Sequence, residues 1–179
     1  MALISASTIL TSMCLFHLTL AYFFYTNPSA IADQALVWVL GEATGMPQTP
    51  HFLSPSPTSS FLAVILFLVG LTDLITLSMP EEIWLVHYWG VQAPARSILF
   101  GTLALFAYLT APTSPRSVHH YQGGTYSTVN GGSGGSEGLR NRVFFAFALL
   151  ELISWFWAWV TLREEAAAFA ARKRRRSSR

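Results

Sequence analysis

Asp73, Arg96 and Glu151 are the residues best placed to do chemistry, because the two carboxylates sit inside apolar runs long enough to cross a membrane. Asp73 lies within residues 61–79 and Glu151 within residues 143–162, and both runs are otherwise free of charge. A carboxylate at membrane depth costs roughly 2.5–3.5 kcal/mol on insertion scales, so it needs a partner, a proton or water. Arg96 opens a further apolar stretch on the side where Asp73 approaches the end of its own run, so the two can pair across adjacent helices. Glu151 has no cation at its depth. The alternatives for it are protonation, or bonds to His17, Ser or Thr groups on neighbouring helices. Glu151, Trp155 and Trp159 follow at i, i+4 and i+8 and share one helical face, which is a packing face or the wall of a small ligand site.

No catalytic signature accompanies these residues. The chain has no Gly-rich phosphate loop, no HExxH, no GxSxG elbow and no cysteine pair. Cys14 is the single cysteine, which excludes an internal disulfide and a thiolate metal site and leaves a small buried hydrophobe. His17 stands alone in its apolar run, and His119 and His120 are adjacent in a polar loop, so no ligand spacing for a metal is present. The chain therefore reads as a non-enzyme with no cofactor and no metal.

The elements that must position these groups are membrane helices. Of 179 residues, 52% are hydrophobic and only 11% charged, against about a quarter charged in a soluble domain. Mean hydropathy is +0.42. The apolar residues gather in four blocks, at about 3–25, 59–79, 95–111 and 143–162, which predicts an all-α, polytopic four-transmembrane-helix bundle. The first block is a retained helix, since a cleaved signal peptide would have basic residues before it and a shorter run. Asn27–Pro28 breaks it. Residues 29–43 read as a short interfacial helix with Ile31, Ala35 and Val39 on one face, Trp38 as anchor and a cap at Gly45. Ser59 or Ser60 caps the second span and Pro80 stops it. Residues 81–92, rich in Trp84, Tyr88 and Trp89, read as an aromatic re-entry along the interface, and Pro94 as the first turn of a new helix. Ala93, Ser97 and Gly101 stand four apart and form a close-packing face.

Residues 112–142, with the run NGGSGGSEG, have the composition of a flexible linker. The membrane domain thus covers residues 1–165, and residues 166–179 form a basic helical tail. In that tail Arg172, Lys173, Arg174, Arg175 and Arg176 can attract anionic lipid, by about 1 kcal/mol per charge. R-R-R-S at residues 174–177 matches a basophilic kinase site. Otherwise the tail is a topology anchor. It lacks a folded basic face, so no nucleic-acid partner is expected. Four spans put both termini on one side, with Arg96, Arg163 and the tail, against Arg116, Arg140 and Arg142 opposite. The positive-inside rule places those termini in the cytosol.

Three stretches in one order carry a resemblance: G-L-T-D-L at 70–74, P-A-R at 94–96, and F-A-L-L-E-L-I-S-W-F-W at 147–157 running into R-E-E at 163–165. Residues 41–48, ending in M-P-Q, fit the same pattern. The chain resembles the fungal "increased loss of mitochondrial DNA" protein family over roughly residues 1–165. The resemblance implies an integral membrane protein of the endoplasmic reticulum whose absence leads to loss of mitochondrial DNA, with no catalytic activity or cofactor to carry over. It assigns no role to Asp73, Arg96 or Glu151, and it has no counterpart for the Gly-rich loop or the tail. The expected partners are the lipid bilayer and a membrane protein. A scaffold or accessory subunit acting indirectly is the leading reading. A small transporter or lipid-handling protein using Asp73, Arg96 and Glu151 is the alternative, and a mitochondrial membrane the alternative location.

Overall fold

The computed structural model describes residues 4–48, 52, 54–110 and 139–177. Among them there are helices and no strands. Helix α1 (Ala6–Thr26) is started by Ser5, whose hydroxyl accepts from Thr8 N–H, and ends at Asn27 before Pro28. The next segment is two helices, α2 (Ser29–Ala32) and α3 (Ala35–Thr44), where one was expected. The break at Asp33–Gln34 turns the second piece, so Val37 and Gly41 are buried while Ala35, Leu36, Trp38 and Val39 stay exposed. Gly45 closes α3 at φ 68°, in the left-handed region that glycine enters at no steric cost.

Helix α4 (Pro57–Thr76) begins earlier than predicted. Ser56 is its cap, in a reciprocal box with Ser59, and Pro57 supplies the first turn. The helix ends at Thr76, ahead of Pro80. From Glu81 the chain is helical again without interruption to Leu109. A π-helical segment (Ile83–Tyr88) runs straight into α5 (Trp89–Leu109), so the expected interfacial re-entry is instead part of the bundle. Pro94 lies inside α5 and does not start it. The wide π turn sets the phase that turns Leu85, Trp89, Ala93 and Ser97 inward. Helix α6 (Arg142–Ser177) runs unbroken for 36 residues, about 54 Å at 1.5 Å per residue. The Gly-rich loop, His119 and His120 lie outside the described residues.

Helix α1 packs along α4, and α5 along α6; α1 also touches α6, and α3 lies against it. Glycines allow two of these approaches. A Cβ on Gly70 would sit 3.1 Å from both Cys14 O and His17 Cβ, so α1 and α4 meet almost backbone to backbone there. Ala93 and Ser97 are buried, and Gly101 faces Leu152 of α6, which makes the small-residue face of α5 a helix contact.

Among the described residues three helices, α1, α4 and α6, are long and apolar enough to cross a membrane, not four. Helix α5 has the length, but Gln92, Pro94 and Arg96 fall in its first half and lower its apolar content. The even count that was expected to place both termini on one side is therefore not reached by these helices. Large apolar side chains still cover the outside. Phe61, Ile98 and Leu109 are each about 70% exposed (68%, 71% and 71%), within a surface too apolar for water and consistent with a membrane protein.

Candidate functional site

In the last turn of α4, Asp73 is 3% exposed and meets Arg96 of α5 through two hydrogen bonds. Arg96 Nη1 donates to Oδ2 at 2.5 Å and Nη2 to Oδ1 at 3.1 Å. This two-pronged geometry is the one a planar guanidinium offers a carboxylate. The same guanidinium lies over two indoles, 5.3 Å from the ring centre of Trp89 and 4.7 Å from that of Trp155. Those rings stack on each other at 5.3 Å and 22°. A cation held on aromatic faces away from water gains about 2 kcal/mol or more, which offsets part of its desolvation.

Trp155 carries the arrangement further. Its Nε1–H donates to Glu151 Oε2 at 2.7 Å, one turn earlier on α6. The other oxygen, Oε1, meets His17 Nε2 of α1 at 2.9 Å. Asp73, Arg96, Trp155, Glu151 and His17 thus form one continuous chain joining α4, α5, α6 and α1. Glu151 is 1% exposed and both its oxygens are occupied. His17 Nδ1 and Trp89 Nε1 are buried without partners.

The structure therefore brings together all three residues of the sequence-derived site, the first two directly and Glu151 through Trp155. Two members were not assigned from sequence. Trp89 has the sequence surroundings of a headgroup aromatic yet is fully buried, and spacing alone shows Trp155 only as sharing a face with Glu151. The i, i+4 spacing of Glu151 and Trp155 was the available signal.

The basic tail is differently placed. Lys173 Nζ donates to Glu82 Oε1 at 2.6 Å, and Arg172 Nη2 lies 3.6 Å from Glu81 Oε1. Lys173, by its hydrogen bond and then its charge, holds the Glu82 carboxyl below the usual carboxylate range. Arg172 also lies over Phe169. Arg174 is exposed, Arg175 has a partner, and the side chain of Arg176 lies outside the description. At the same end, Ala6 N–H donates to Glu165 Oε1 at 2.8 Å, so the start of α1 and the base of the tail are neighbours. Among the described residues no cluster of three or more His, Cys, Asp or Glu could hold a metal ion.

No curated protein and no solved structure matches the chain. A family model described as increased loss of mitochondrial DNA protein 1 matches residues 4–172, a span that holds every member of the buried network. The chain belongs to the increased loss of mitochondrial DNA protein 1 family.

Proposed function

We propose that the chain is a non-catalytic scaffold or accessory subunit of the endoplasmic reticulum membrane that supports mitochondrial DNA maintenance indirectly. One observation carries this reading: both oxygens of Asp73 and both oxygens of Glu151 are taken by side chains of the bundle itself. A transport or lipid-handling site would need one of these groups to face a substrate. Here they hold four helices in register and leave a largely apolar outer surface for lipid and for a membrane-protein partner. The family description supplies the link to the mitochondrial genome. The end that carries Arg163 and the basic tail faces the cytosol by the positive-inside rule, and the Ala6–Glu165 bond brings the start of α1 to that same end.

Extraction in a mild detergent and affinity purification should recover a partner in fixed stoichiometry; a monodisperse monomer would count against the scaffold. Complementation of a deletion separates the two functional readings. Asp73→Asn and Glu151→Gln should impair function only as far as they lower abundance. Loss of function at full abundance would favour transport or lipid handling.

A further inference from the structure

Arg140 and Arg142 stand on either side of Asn141 where α6 begins, at the end of the bundle opposite the tail. Both are partly buried, and the Nε of each is buried without a hydrogen-bond partner. None of the ion pairs among the described residues includes either of them. The described carboxylate nearest in the sequence of α3, Glu42, is exposed and unpaired with them. A guanidinium cannot lose its proton, and a buried donor left without a partner is costly, more so when it is charged. Two such groups, two residues apart, call for an anion.

The surroundings are fixed. Arg142 N–H donates to Pro47 O at 3.2 Å, and the side-chain stem of Arg142 crosses Gly41 of α3. A Cβ on Gly41 would fall 2.8 Å from Arg142 Cβ and 3.2 Å from its Nε, so glycine is what lets the arginine lie there. Asn141 is 2% exposed, and its Oδ1 accepts from Phe144 N–H. The apolar run of α6 starts at Val143, and α3 beside it exposes Leu36, Trp38 and Val39. Apolar helix, half-exposed tryptophan and arginine meet in this way at the headgroup level of a bilayer. The planar fork of arginine matches phosphate oxygens two at a time. The tail, in contrast, has Arg172 and Lys173 already engaged by the chain's own Glu81 and Glu82.

We propose that Arg140 and Arg142 form a binding site for a phosphate group, supplied by an anionic phospholipid headgroup or by free phosphate. The test uses the full chain, delipidated in an uncharged detergent, and reads its thermal unfolding at matched ionic strength. One arm adds phosphatidylglycerol in mixed micelles; the other adds inorganic phosphate. A rise in Tm of roughly 5–10 °C at a hundredfold excess over Kd is expected. A response to the micelles alone identifies a headgroup site, and a response to phosphate alone a free-anion site. Arg140→Gln/Arg142→Gln should abolish the rise, while Arg174→Gln/Arg175→Gln/Arg176→Gln should keep it. If the double variant does not fold, Arg140→Gln alone serves, with at least about a tenfold higher half-saturating concentration expected for losing one of two charged contacts. A wild-type chain unresponsive to both ligands would overturn the site, as would folded Arg140 or double variants that respond like wild type.

Discussion

The Asp73–Arg96 and Glu82–Lys173 pairs have almost the same separation, 2.5 and 2.6 Å, and almost nothing else in common. The first is 3% and 22% exposed, is bonded through two prongs and lies against two indoles. The second is 50% and 65% exposed and rests on one hydrogen bond at the wet end of the bundle. Distance alone would rank them equal. Burial decides instead, because a stranded charge in the interior has no water to turn to, and a stranded charge at the surface does.

The largest expected effect follows from that asymmetry. Arg96→Leu should destabilise the bundle by about 3–5 kcal/mol, since Asp73 is left charged and alone. Asp73→Leu/Arg96→Leu should recover much of the loss, because no charge is then stranded. Thermal or denaturant unfolding in detergent, run as a double-mutant cycle, reads both. Equal losses in the single and double variants would show that the pair is valued for more than its mutual neutralisation.

Glu151 comes next. Glu151→Leu leaves His17 Nε2 and Trp155 Nε1 without partners, at about 1–3 kcal/mol for each buried group. Glu151→Gln should cost less, because the amide keeps an oxygen for Trp155 Nε1–H and a polar group within reach of His17 Nε2. The order wild type, Gln, Leu in unfolding midpoint is the expected result, and Gln falling level with Leu would show that the amide does not replace the carboxylate's bonds.

The smallest effect belongs to the tail. Lys173→Gln should leave the unfolding midpoint nearly unchanged while loosening the tail, and added salt should mimic it. The Glu82 carboxyl is depressed in the folded state, so the contact is complete above the unfolded carboxylate pKa of about 4.3. It is lost only as pH falls through the lower folded value. Cross-linking between cysteines placed near positions 82 and 173, followed across pH, checks this: yield should hold at pH 5 and drop in stronger acid.

Much of the frame could be read from residue types. The apolar blocks around α1, α4 and α6, the cap at Gly45, and Arg96 as the mate of Asp73 all follow from local rules of composition, spacing and charge cost. What could not be read depends on rotation. Residues 81–92 carry the aromatic content of an interface, and nothing local says that a π turn will swing Trp89 inward to stack on Trp155. The split of residues 29–44 at Asp33–Gln34 likewise moves the buried face from Val39 to Val37. The number of spans depends on where α5 starts: composition makes Arg96 an end group, whereas it lies about two turns inside the helix.

Helix α6 has a consequence of a mechanical kind. It is a single shaft of about 54 Å, with no described break between Glu151 at the heart of the bundle and Arg172 at its tip. The bilayer core takes up about 30 Å of it. The remainder stands out as a lever arm whose bearing is the His17–Glu151 contact and whose catch is Glu81–Glu82. A rigid rod cannot turn at one end alone. Any partner that pulls the tail from its catch would apply torque to the carboxylate buried in the middle.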